Sequence, residues 1–279
     1  MYRGGLVVTA LICGCFGKPG FSGVPSDAHG GGADGADDDA NPDACTGAWG
    51  APIVRHELDN MVTGEPTITA DLLNVYYAKQ LAGASWQIHW ASRSDQMSVF
   101  VPRGQAPFDP GSMVDQDPSI TSDGMDIIFR ATQQGVIQEA KYEGTSWNRT
   151  AVFGLEGLAP DTLDLSGDGL TIYYNVGAAL HIAHRTTRTA MFIEASGTWG
   201  SDLHWPAVTG DGKHLYYTML PSTYGVYEAT RPSAATNFTA IGMVLGTNYD
   251  DADVTDDGAV MVVGERTGTT LAMLRRTCP

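Results

Sequence analysis

DTLDLSGDGLTIYYN, residues 161–175, alternates its side chains up to Leu165, breaks at Gly167-Asp168-Gly169, and resumes as the β-branched and aromatic run Ile172-Tyr173-Tyr174. Alternation marks a strand with two differently packed faces, and Asp-Gly is a pair that tolerates the positive φ of a tight turn. The stretch therefore predicts a β-hairpin. Four more stretches stack on it: EPTITADLLNVYYA from Glu65, DPSITSDGMDIIFRA from Asp117, WPAVTGDGKHLYYTM from Trp205 and DADVTDDGAVMVVGE from Asp251. Their turn aspartates, Asp71, Asp123, Asp168, Asp211 and Asp257, are spaced 52, 45, 43 and 46 residues apart. That period belongs to the blades of a propeller rather than to helical repeats.

Each copy continues into a third alternating strand, WQIHWASR, VIQEAKYE, LHIAHRTT, YGVYEATR and TLAMLRRT. A fourth follows in four copies, SVFVP, TAVFGL, AMFIEA and FTAIGMVL, but the fifth has none before Pro279. The missing strand is available at the front, in residues 52–58 (PIVRHEL), which precede the first hairpin and lack partners there. The fold class expected is all-β, a five-bladed propeller of four-stranded blades whose last blade is closed by the N-terminal strand. Such closure leaves only short, protected edges. The count takes the extra residues 107–115 as a loop.

The chain has 279 residues, 43% of them hydrophobic, and a formal charge of −16. The acidity argues against a nucleic-acid partner, because phosphate binding needs clustered Lys and Arg. Residues 4–13 (GGLVVTALIC) form an apolar run behind Arg3 that is too short to span a bilayer, which reads as an export signal. Ile12-Cys13-Gly14-Cys15 resembles the lipobox of bacterial lipoproteins, which implies cleavage after residue 14 and lipidation of Cys15; ordinary signal cleavage nearby is the alternative. Residues 16–44, rich in Gly and Asp, offer too few large apolar side chains to offset ordering and read as a flexible tether. The expected division is thus a lipoprotein signal over 1–15, a linker over 16–44 and the propeller over 45–279.

Cleavage would remove Cys13 and lipidation would occupy Cys15, leaving Cys45 and Cys278, one at each end of the folded part. A disulfide between them would staple the closing blade, with about 4 to 5 kcal/mol from closing so long a loop. Two unpaired buried thiols are the alternative.

The recurring Pro-x-Ile-Thr-x-Asp-Gly, the Gly47-x-Trp49-x-x-Pro52 entry and the arginines ending third strands (Arg93, Arg185, Arg231) resemble the TolB-like family of WD-type propeller repeats. The resemblance implies an envelope propeller that binds other proteins; with the lipobox and the missing catalytic motifs, the expectation is a monomer, lipid-anchored at the outer membrane or periplasmic face, and not an enzyme. Five blades, and no second domain of the TolB type, depart from that family.

Residues just before each inner strand are expected to ring the mouth of the central channel: Glu65, Asp117, Asp161, His204 and Asp251, with Asp115, Asp202 and Asp250 nearby. Such carboxylates can receive a basic peptide, hold a cation such as calcium, or stand as solvated loop acids. They can also furnish acid and base for glycoside cleavage, since five-bladed furanosidases place three carboxylates near this axis. A furanosidase-type hydrolase is the alternative function. No cofactor is expected: His181 and His184 fall on opposite faces of one strand, and no nucleophile elbow, phosphate loop or dinucleotide fingerprint is present. Trp49, Trp147 and Trp199 recur at blade entries and are expected to pack between blades, whereas Trp86, Trp90 and Trp205 are the ones that could face a ligand.

Overall fold

A computed structural model describes residues 45, 47–59, 64–80, 86–109, 115–131, 136–177, 179–220, 224–266 and 270–277. Cys15, the tether 16–44, Cys278 and residues 110–114 of the expected loop lie outside the described residues. Among the described residues no helix is long and apolar enough to cross a membrane.

The hairpins form five four-stranded antiparallel sheets, as the repeat predicts. The chain enters through β1 (Ile53–Val54) and a 3-10 turn, His56–Leu58. The first blade is β2 (Gly64–Ile68), β3 (Asn74–Gln80), β4 (Trp86–Ser92) and β5 (Val101–Gln105). The second is β6 (Asp115–Ile120), β7 (Asp126–Ala131), β8 (Val136–Tyr142) and β9 (Trp147–Ala151). The third is β10 (Thr162–Leu165), β11 (Thr171–Val176), β12 (Ala179–His184) and β13 (Ile193–Glu194). The fourth is β14 (Leu203–Val208), β15 (His214–Met219), β16 (Val226–Thr230) and β17 (Thr239–Leu245). The fifth is β18 (Tyr249–Val254), β19 (Val260–Glu265) and β20 (Leu271–Arg275), and β1 completes it by pairing Ile53 with Met273 and Val54 with Ala272. The closing strand is thus two residues long, because Arg55 already turns into the 3-10 segment. The fourth strands also shift against the expected windows: β5 begins at Val101 because Phe100 turns inward, 1% exposed, beneath Arg93.

The inner strands β2, β6, β10, β14 and β18 meet around a ring, each touching the next and β18 returning to β2. Apolar residues of adjacent blades interlock into five clusters, one at each blade interface. Within blades, the turn aspartates do one repeated task. Asp71, Asp123, Asp168, Asp211 and Asp257 each accept a hydroxyl hydrogen from the Thr or Ser two residues earlier, at 2.6 to 2.7 Å, and a backbone N–H two residues later. The residue after each aspartate is left-handed, and Gly fills it at 124, 169, 212 and 258; in the first blade Leu72 holds the same conformation at φ 62°.

The closure has its own side chains. Arg93, Arg185 and Arg231 lie over Phe100, Phe192 and Phe238, each seven residues downstream, at 4.2 to 4.4 Å. Arg276 ends the third strand of the fifth blade and lies instead over Trp49, 4.5 Å away, from the other end of the chain. Its guanidinium also donates to the Cys45 carbonyl oxygen at 2.6 Å and to Glu228 at 2.9 Å. Glu228 further accepts from Tyr216 and bonds His214, which welds the fourth blade to the fifth. Cys45 is disulfide-bonded, with its partner outside the described residues.

Candidate functional site: an acidic column along the axis

Two levels of side chains line the channel, both projected from the inner strands. The upper level arises from a bulge. In β2, β6, β14 and β18 the pairing slips across two residues, and at each slip a non-glycine residue takes a positive φ: Glu65 55°, Asp117 51°, Trp205 49° and Asp251 48°. Bulges of this kind re-aim a side chain, and three of the four are followed by proline, which carries no N–H for a ladder to lose. The third blade has no bulge: Thr162 takes the place on a regular strand.

The upper side chains reach from blade to blade. Asp251 accepts the Glu65 N–H at 3.2 Å, Glu65 accepts the Asp117 N–H at 2.7 Å, and the Thr162 hydroxyl accepts the Trp205 N–H at 2.9 Å. Two residues further along each strand lies the lower level, Thr67, Ser119, Asp164, Ala207 and Asp253. Asp253 accepts the Ile68 N–H, Thr67 that of Ile120, Ser119 that of Leu165 and Asp164 that of Val208, all at 2.8 to 3.3 Å. Every bond of this belt runs in one rotational sense, from the side chain of one blade to the backbone of the next. Ala207 breaks it at the junction of the fourth and fifth blades, where Arg276 and Glu228 supply the link further out.

Glu65, Asp117, Asp164, Trp205, Asp251 and Asp253 border a cavity of about 30 Å³, lined also by Pro66, Pro118 and Pro206 among others. A second, about 10 Å³, continues past Asp164 and Asp253 to Asp256, which accepts from Ser122. The carboxyls are perturbed accordingly. Burial, then the charges of Asp117 and Asp251, pushes Glu65 well above its usual range, and its hydrogen bond to Asp117 adds to the rise. Burial also raises Asp117, against the pull of Arg130, whose Nε donates to Asp117 Oδ2 at 2.6 Å. Burial thus favours the protonated form at both carboxyls of the pair. Burial raises Asp251 and Asp164 well above their usual values, with Asp250 and Asp253 adding charge repulsion, and pushes Asp253 up to about 7.

Of the expected mouth residues, the fold brings Glu65, Asp117 and Asp251 together around the cavity. Asp161 and His204 are not among its lining residues: Asp161 is exposed, and in the fourth blade the bulge aims Trp205, one residue later, at the axis. Asp115 is fully buried against Arg149 rather than at the mouth, at 2.7 Å. Trp205, one of the tryptophans expected to be able to face a ligand, does line the cavity, whereas Asp164 and Asp253 were missed by reading only the residues before each strand. The column two positions downstream in the stacked repeats, Thr, Ser, Asp, Ala and Asp, carries the signal for the lower level. Trp49, Trp147 and Trp199 pack against the blade-interface clusters, as does Trp90, which stacks on Tyr76 at 6.1 Å. Among the described residues no three His, Cys, Asp or Glu side chains form a group that could hold a metal ion.

No family model matches the chain, and no curated protein matches it. Solved structures do. The catalytic domain of a Coprinopsis cinerea GH62 α-L-arabinofuranosidase is similar over 85% of this chain and 98% of that one, at 10% identity and a TM-score of 0.56. An α-L-arabinofuranosidase from Podospora anserina, solved in complex with cellotriose, gives the same coverage and identity at 0.55. TolB from Acinetobacter baumannii is 13% identical over 77% of this chain and 54% of that one, at 0.48. The two arabinofuranosidases share the fold of this chain, whose five four-stranded sheets make it a five-bladed propeller. They also overturn one expectation: enzymes of the same fold align over nearly their whole length, so the architecture gives no ground for reading the chain as a non-enzyme.

Proposed function

We propose that the chain is an exported propeller, anchored through Cys15, that holds a protein or peptide of the cell envelope over the acidic mouth of its channel. One observation carries this reading: at the mouth the buried atoms Asp117 Oδ1, Asp251 Oδ1 and Trp205 Nε1, from three different blades, have no hydrogen-bond partner among the described residues apart from the Glu65 carboxyl beside Asp117. Buried polar groups in folded proteins are otherwise paired, so three open valences around one cavity favour a partner that supplies the missing contacts. The cavity's size agrees, since about 30 Å³ admits the tip of a side chain and not a sugar ring. The test is capture from an envelope fraction by the wild-type chain and by the isosteric variant Glu65→Gln, Asp117→Asn, Asp251→Asn. The reading expects a captured species that the variant loses; equal capture would remove the mouth from it.

A second reading, a glycoside hydrolase acting on furanose polymers, is favoured by two neighbouring carboxyls in unlike surroundings, Glu65 raised by burial and Asp117 held by Arg130, because acid and base roles need neighbouring groups whose environments differ. The neighbours described as arabinofuranosidases lend it context. Turnover of an arabinan or xylan-type substrate that Asp117→Asn abolishes would establish it over the first.

A further inference from the structure

We propose that the upper axial cavity is a receptor for a single primary ammonium group, as carried by a lysine side chain of the partner; this deepens the reading above and rests on it. Three features of the cavity wall point to that chemistry. First, the acids of the two levels are held differently. Asp164 accepts a backbone N–H and the Ser119 hydroxyl at 2.9 Å each, and Asp253 accepts the Ile68 N–H. Around the upper level the wall is Pro66, Pro118 and Pro206, which have no N–H to give. Among the described residues Asp117, only 3% exposed, keeps Oδ1 without a donor apart from the proton that Glu65 can lend, and Asp251 Oδ1 has none. Carboxylate oxygens left open in this way call for a donor from outside, and a charged donor makes the stronger bond.

Second, the donor must be small. A cavity of about 30 Å³ bordered by carboxyls from three blades suits one compact NH₃⁺ head, whose three donors point in three directions, better than a guanidinium, whose donors lie in one plane. Third, the wall is not wholly acidic. Trp205 stands where the first, second and fifth blades place a carboxylate, brought there by the same bulge. An indole in that place, with Thr162 in the third blade, leaves three carboxyls in the upper level, the number that the three N–H donors of one ammonium can use. The three N–H donors of one ammonium match three carboxyls from three blades, Glu65, Asp117 and Asp251, with Glu65 giving up its proton to solvent as the cation enters.

The test needs no identified partner. Nα-acetyl-lysine-N-methylamide, its Nε-acetylated neutral counterpart and the arginine analogue are titrated calorimetrically into the full chain. The ammonium probe is expected to bind about tenfold or more tightly than either of the others, the scale of one charge-assisted hydrogen bond. Asp251→Asn, an isosteric change checked by its melting curve, is expected to remove that preference. Equal binding of charged and neutral probes, a preference for the guanidinium, or an ammonium preference untouched by Asp251→Asn would each overturn the proposal. Failure here is separable from failure of the broader reading: a captured partner that the triple variant loses, but that the ammonium probe does not displace, keeps the mouth as a docking site and removes the ammonium.

Discussion

At Leu72 two effects oppose each other. The left-handed turn costs a non-glycine residue about 1 kcal/mol, and Gly would release that strain. Yet the Leu72 side chain is 4% exposed, packed with Ile68, Val75 and Val260 between the first and fifth blades. Removing a buried leucine costs about 2 to 4 kcal/mol. Packing wins, so Leu72→Gly is expected to destabilise the chain by roughly 2 kcal/mol even though it restores the turn sequence of the other blades. Urea unfolding of the variant measures this, and a gain in stability would show that strain outweighs the packing. The departure from Asp-Gly in the first blade is therefore a core contact.

Among the elements, the closing strand is the least like its copies. Its two residues supply few ladder bonds, so the fifth blade depends on side chains, above all Trp49, which meets Tyr216 edge-on at 5.8 Å and lies beneath Arg276. Trp49→Ala is expected to cost about 3 to 5 kcal/mol, whereas Trp86→Ala, at a half-buried strand end, costs about 1 kcal/mol or less. Thermal melts of the two variants distinguish them; equal losses would mean that the closure does not hang on Trp49. Much of this element level was legible in the sequence. The period-two alternation and the Asp-Gly turns locate every inner hairpin, because both signals are local. The bulges were not legible, because nothing in Glu65-Pro66 or Trp205-Pro206 states that the pairing partner slips, and one slipped residue moves the axial place from His204 to Trp205. The fourth strands were blurred for a related reason. Their ends are fixed by which aromatic tucks under an arginine from the preceding strand, a contact that alternation does not encode.

For the whole molecule, the axial column makes stability depend on pH in an unusual direction. Glu65, Asp164, Asp251 and Asp253 all have folded-state values raised above those of the unfolded chain, by burial first. Between the unfolded value near 4 and the folded one, about 7 for Asp253, the folded state holds protons that the unfolded chain has released, so stability falls as pH rises through that window. Glu228 acts oppositely. Burial pushes it up, but His214, Arg276 and Tyr216 outweigh that and bring it down to about 2, so its contribution is present above 4.5 and disappears as pH falls toward 2. Together they place the highest melting temperature at about pH 4 to 5, with a decline toward pH 8 that Asp253→Asn makes shallower. A melting temperature that climbs steadily from pH 4 to 8 would contradict this.

The belt of bonds at the lower level has one more consequence, for how such a ring can change in size. The first three blades each offer an acceptor to the blade ahead and an N–H to the blade behind, from the same two positions of the inner strand, while the fifth offers only the acceptor and the fourth only the N–H. Copying one repeat and splicing it beside its parent would give the newcomer matching neighbours on both sides, with no new kind of junction to invent. The exception is the seam that Trp49 and Arg276 stitch from opposite ends of the chain. It is made once per molecule, and a lineage that added or lost blades would have to leave that seam alone.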